Sequence, residues 1–82
     1  MVPVPPPKTP PGFPDARLVK PKTGFPGGVR KRWKLPDGRI LEWDYRHGAI
    51  EAYTPNGKHL GQFDSHTGEQ TKPADATRTV EP

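Results

Sequence analysis

Nine of the thirteen prolines in this 82-residue chain lie within its first 26 residues, and that crowding limits what the chain can begin with. Proline fixes φ and has no N–H to donate, so "MVPVPPPKTPPGFP" fits neither a helix interior nor a central strand. It reads as an extended, polyproline-like arm, a linker rather than core. The following "DARLVK" allows one short helical turn, with Asp15 as cap and Pro21 as stop. "TGFPGG" then ends the arm as a flexible joint. Residues 1–27 are therefore expected to form a basic arm, and residues 28–82 the folded domain.

From Val29 the pattern changes to short runs divided by turn signals. "VRKRWKL", "RILEWDY", "AIEAY", "KHLGQFD" and "EQTK" read as strands. "PDG", "HG", "PNG" and "SHTG" read as the turns between them, because proline presets φ at a first turn position and glycine takes the left-handed one. The expected fold is mainly β: a single highly twisted antiparallel sheet, a meander of hairpins, behind a proline-rich arm carrying at most one short helix. A chain this short builds a thin core and no deep substrate cavity. It has no cysteine, so neither a disulfide nor a thiolate zinc site is available. No apolar run approaches the ~20 residues that cross a bilayer, and "MVPVPPPK" has no apolar signal-peptide segment.

Two-residue and three-residue turns predict definite registers. With His47 and Gly48 as a two-residue loop, Asp44 lies opposite Glu51, Trp43 opposite Ala52 and Tyr45 opposite Ile50. A three-residue "PDG" loop sets Trp33 against Leu41, Arg32 against Glu42 and Arg30 against Asp44. Leu41, Trp43, Tyr45, Ile50 and Ala52 then share an apolar face. Asp44 and Glu51 share the other, with His47 at the turn.

That polar face gathers two carboxylates and an imidazole beside arginines. These are the parts of RNA transesterification: a base for the 2′-hydroxyl, an acid for the 5′ leaving oxygen, and cations for the phosphorane charge. No metal and no cofactor is called for by that chemistry. The same residues also fit plainer readings. Carboxylates and a turn histidine are common on solvated sheets, and Trp33 and Trp43 suit a core as well as base stacking. "RKRW" suits an edge strand protected by charge as well as a nucleic-acid patch. A metal site from His47, His59 and His66 has no ligand spacing to specify it.

Charge divides the chain unequally. Up to Leu35 there are eight basic residues against one acid, and from Pro36 onward five basic against eight acidic, so +7 in one segment and −3 in the other give the net +4. The asymmetry suits a polyanionic partner held by the basic half, or a solvated basic linker.

In order and with nearly unchanged spacing, "RKRW", "DGRILEWDYRHGAIEAY", "GKHLGQFDSHTGEQ" and "PADATR" resemble the C-terminal cytotoxic domain of the ribosome-inactivating colicins and cloacin, a domain similar to the tips of pyocins and contact-dependent inhibition toxins. The resemblance runs from about Gly27 to Arg78. It implies a twisted sheet and metal-independent cleavage of 16S ribosomal RNA in the decoding site of the 30S ribosome. It places a catalytic aspartate, histidine, glutamate and arginine on Asp44, His47, Glu51 and Arg78, and beside them the basic strand, Arg30, Lys31, Arg32 and Lys34, reads as the part that grips the RNA. The roles of base and acid stay open between Glu51 and His47. It further implies a small acidic immunity protein as partner, and delivery from a secreted or surface-displayed toxin into the cytoplasm of a target bacterium. The short acidic tail "TVEP" departs from the basic run that ends many relatives. A non-catalytic RNA-binding β-module is the alternative, and a module that displays its proline arm to a groove is a third reading.

Overall fold

The computed structural model describes residues 2–82. Eight strands are present: β1 (Arg17–Val19), β2 (Gly24–Phe25), β3 (Gly28–Val29), β4 (Arg32–Lys34), β5 (Ile40–Asp44), β6 (Ala49–Tyr53), β7 (His59–Phe63) and β8 (Gln70–Lys72). Six of them make one antiparallel sheet in the order β1-β4-β5-β6-β7-β8, while β2 and β3 form a small ribbon of their own. The mainly β, antiparallel architecture expected from the turn signals is what the chain adopts.

There is no helix among the described residues, and "DARLVK" is a correction. Arg17, Leu18 and Val19 pair with Lys34, Trp33 and Arg32 as the edge strand β1. Prolines at both ends leave too few residues for a helix, whereas the open side of β4 supplies partners for the backbone groups along one edge of the segment. "VRKRWKL" is also not one strand. Its first part closes the β2–β3 ribbon, with the Arg30 amide donating to the Thr23 carbonyl, and β4 starts only at Arg32. The joint expected at "TGFPGG" is thus an ordered hairpin.

The register between β4 and β5 is the expected one, with Arg32 opposite Glu42 and Trp33 opposite Leu41. Between β5 and β6 it differs by two residues: Asp44 faces Ala49, Trp43 faces Ile50 and Glu42 faces Glu51. The cause is the turn. Asp44 Oδ1 accepts from the amides of Arg46 and His47 at 2.9 and 3.2 Å, and the Gly48 amide closes on the Asp44 carbonyl at 2.8 Å. Tyr45–Gly48 is therefore a four-residue turn, ended by Gly48 at φ +64°, where a side chain would be strained. A two-residue shift keeps every side chain on its expected face.

The apolar face holds Trp33, Leu41, Trp43, Ile50 and Ala52, with Leu35 beside them. Each large side chain buried there contributes roughly 1.5–3 kcal/mol. The proline arm covers this face, which corrects its reading as a linker: Pro10 is fully buried, and Phe13 packs edge-on against Phe63. The indole N–H of Trp33 donates to the Lys8 carbonyl at 3.1 Å and that of Trp43 to the Val4 carbonyl at 2.8 Å. Polyproline backbone has carbonyls without internal partners, and the two tryptophans use them. The arm is extended, as its composition requires, but it is the lid of the core.

Candidate active site

The opposite face of the sheet is covered by the C-terminal segment. The Val80 amide donates to the Gly57 carbonyl, Lys58 and Thr79 form an isolated antiparallel bridge, and the His59 amide donates to the Arg78 carbonyl. Lys22 Nζ holds the Pro82 carbonyl at 2.6 Å. Gly57 sits at φ +88°, and a Cβ there would lie 2.1 Å from the Val80 oxygen, so the close approach needs glycine. Between this strap and the sheet lies an open cleft of about 620 Å³, lined by Asp44, His47, Glu51, His59, Arg78 and the strap from Lys72 onward.

Within the cleft the sequence-predicted residues form two groups. Asp44 Oδ2 is 2.7 Å from His47 Nδ1, which fixes the ring and leaves Nε2 as its free position. Burial alone would raise the Asp44 pKa, but the His47 ring and the amides of Arg46 and His47 outweigh it and hold the carboxyl below the usual range. The His47 side chain itself is 47% exposed.

Glu51 is in the opposite condition, with its side chain 4% exposed. Its Oε1 accepts from His59 Nε2 at 2.6 Å and from Arg78 Nη1 at 3.2 Å. Arg78 Nη2 also reaches the Tyr53 hydroxyl at 3.1 Å. Burial raises the Tyr53 pKa, against the pull of Arg78. No donor among the described residues is bonded to Glu51 Oε2, and that atom is not fully buried, so it is the oxygen that this cleft-lining residue has left over.

His59 is the residue that sequence reasoning missed as a member of this face. Simple alternation back from Gln62, opposite Glu51, puts position 59 on the apolar side. A bulge opposite Ala52 and Tyr53 inserts Leu60 and turns His59 to face Tyr53 instead. His66 is elsewhere, in the turn after β7 beside the arm, so the three histidines do not converge.

The basic stretch is not the uniform phosphate grip expected of it. Arg32 is 2% exposed and pairs with the fully buried Glu42: Nε and Nη2 donate to Oε2 at 3.0 and 2.8 Å, and Thr23 Oγ1 donates to the same oxygen at 2.6 Å. Lys31 Nζ donates to the Pro7 carbonyl and lies 5.3 Å over the Trp33 ring, which commits it to the arm. Arg32 is structural because its strand position points it at a buried carboxylate, and a buried carboxylate needs a cation. Of the four, Lys34 is exposed and Arg30 half-buried. Arg30 does not meet Asp44, whose carboxylate is taken by the His47 turn.

Comparison with known proteins identifies relatives of this chain. The family model described as Cytotoxic matches residues 4–81. Colicin E3 of Escherichia coli is 50% identical over 56 residues, which is 66% of this chain and 10% of the colicin. Colicin-E6 and cloacin of the same organism are each 42% identical over 73 residues, 84% of this chain and 13% of the relative. The chain thus spans about a tenth of the length of the curated relatives it matches.

Proposed function

We propose, from the premise that this chain belongs to the cytotoxic-domain family of colicin E3, colicin-E6 and cloacin, that it is an endoribonuclease toxin module cutting 16S ribosomal RNA in the decoding site. The observation that carries the reading is the pair of unlike groups in one cleft: a carboxylate with one oxygen held and one open, and an imidazole fixed by an aspartate.

Glu51 Oε2 takes the proton of the ribose 2′-hydroxyl. The 2′-oxygen attacks the adjacent phosphorus, and the bond from phosphorus to the 5′-oxygen breaks. His47, positioned through Nδ1 by Asp44, gives its Nε2 proton to the departing oxygen, so the products are a 2′,3′-cyclic phosphate and a free 5′-hydroxyl. Arg78 offsets the charge that builds on the phosphorane oxygens, an electrostatic contribution that grows in the transition state. Arg30 and Lys34 draw the RNA to the sheet by counterion release. Every proton and charge in this scheme comes from side chains, so cleavage is expected to persist in excess EDTA.

The test is incubation with intact ribosomes, followed by primer extension. One discrete 3′ fragment of 16S RNA supports the reading. Binding without any fragment makes the chain a non-catalytic RNA-binding module. A producing cell would need protection, so the reading includes an acidic immunity protein seated on the basic half, steered there by charge. Co-expression with the product of a neighbouring gene tests it: restored growth supports the partner, and undiminished toxicity removes it.

A further inference from the structure

We infer that the turn at Asp75–Arg78 is a positioning device: it fixes the tautomer of His59, and through His59 and Arg78 it decides which oxygen of Glu51 is left for the substrate. The effect on catalysis rests on the proposed role of Glu51, whereas the effect on His59 does not.

The geometry is closed at each step. Asp75 Oδ1 accepts from the Thr77 hydroxyl at 2.6 Å and from the Thr77 amide at 2.9 Å, and the Arg78 amide donates to the Asp75 carbonyl at 3.0 Å. This tight turn aims the Asp75 amide at His59 Nδ1, 2.9 Å away. An amide can only donate, so Nδ1 must carry a lone pair. The imidazole hydrogen then sits on Nε2, directed at Glu51 Oε1 at 2.6 Å. The next residue after Thr77 sends its guanidinium to the same Oε1. One turn thus delivers two donors to a single carboxylate oxygen, one through the His59 ring and one directly. Both act on Oε1, which turns Oε2 toward the cleft.

Alternatives for the turn are weaker. Asp75 and Thr77 are exposed and lie outside the buried apolar core. Their side chains are spent on each other rather than on an incoming RNA. The charged and titratable groups around Glu51 are His59 on β7, Arg78 on the strap, Glu42 on β5 and Tyr53 on its own strand, with Asp44 and His47 lining the same cleft. Of the two imidazoles only His59 is bonded to Glu51, and only the strap touches its far nitrogen.

Two-bond proton–nitrogen correlation spectra of the intact chain, labelled with nitrogen-15, read the His59 tautomer directly. The parent is expected to show Nε2 protonated and Nδ1 bare. Thr77→Val and Asp75→Ala should mix the tautomers and slow ribosome cleavage on the order of tenfold, a part of the ~10² to 10⁴ that a positioned proton-transfer group supplies. KM should stay unchanged. Thr77→Ser, which keeps the hydroxyl, should restore spectrum and rate together. A parent spectrum with Nδ1 protonated overturns the inference. So does a rate loss in Thr77→Val with the His59 spectrum unmoved, because the turn would then act by another route. If the parent cuts no RNA at all, the proposed function fails while the spectra still decide the tautomer lock.

Discussion

Glu42 and Glu51 face each other directly across β5 and β6, on the same side of the sheet. Like charges so placed are destabilising, and each is held by its own cation: Glu42 by the buried Arg32, Glu51 by Arg78. The two pairs differ in what they leave over. Glu42 is sealed, with Oε1 buried and unpaired, whereas Glu51 keeps an oxygen at the cleft.

Glu51→Gln is therefore expected to lower cleavage by ~10² to 10⁴, the scale of a lost proton transfer, without lowering the melting temperature. The amide can still accept from His59 and Arg78, and it removes one of two facing charges. Stability bound up in a charged functional site is often regained when that charge is removed. Ribosome cleavage rates and thermal unfolding, measured on the same preparation, check both halves. Activity within about threefold of the parent, on that proton-transfer scale, would exclude Glu51 as the base.

Asp44 sets an acid limit. Its folded pKa is lowered from 3.8, despite burial, by the His47 ring and two amides. A carboxyl lowered in the folded state contributes stability that is complete above its unfolded value and lost as pH falls through the folded one. The parent should thus exceed Asp44→Asn in stability at neutral pH, and the gap should close below about pH 3.8. Urea unfolding at a series of pH values measures it. A gap that stays constant down to the lowest pH would assign the difference to packing.

The arm gives a prediction opposite to that for a linker. Removing residues 2–12 deletes the acceptors of both indoles and the buried Pro10, and exposes one side of Phe13. Two hydrogen bonds at ~1 kcal/mol each and one large apolar surface make roughly 3–5 kcal/mol. Small domains hold only about 5–15 kcal/mol in all. The truncated chain should bind a hydrophobic dye and melt at a much lower temperature. An unchanged melting curve would return the arm to linker status.

What was legible in the sequence follows from which rules are local. From β4 onward strand existence and face were readable, since alternation and the Pro-Asp-Gly and Asn-Gly turns act within a few residues, whereas β1 and the β2–β3 ribbon were not. Asp44, His47, Glu51 and Arg78 do meet in one cleft. The β5–β6 register was not readable, because Asp44 caps the turn with its own side chain and so lengthens it. His59 was hidden by a bulge that reverses parity. The arm was misread because composition reports its conformation, not what lies beneath it, which here is two indole N–H groups, Phe63 and the Lys31 side chain. Arg32 was misassigned for a similar reason: a basic run predicts charge, while what lies opposite each position decides which members reach solvent, since Arg32 and Lys34 share a face but Arg32 meets the buried Glu42 and Lys34 is exposed.

That division inside the basic run yields the last prediction. Arg30→Ser with Lys34→Ser should leave the fold intact and flatten the dependence of ribosomal RNA binding on salt, each lost phosphate contact lowering the slope by about 0.7 to 0.9. Arg32→Ser should do the reverse. It leaves Glu42 buried without its cation, a loss typically of ~3–5 kcal/mol, and among folded molecules the salt slope should not change. Replacing both Arg32 and Glu42 by apolar residues of similar size should recover much of that stability, because an absent ion pair costs less than a broken one. Chemical denaturation and a salt titration on each variant separate the two roles. If Arg32→Ser folds normally and flattens the slope, the ion pair is dispensable and the arginine belongs to the RNA surface after all.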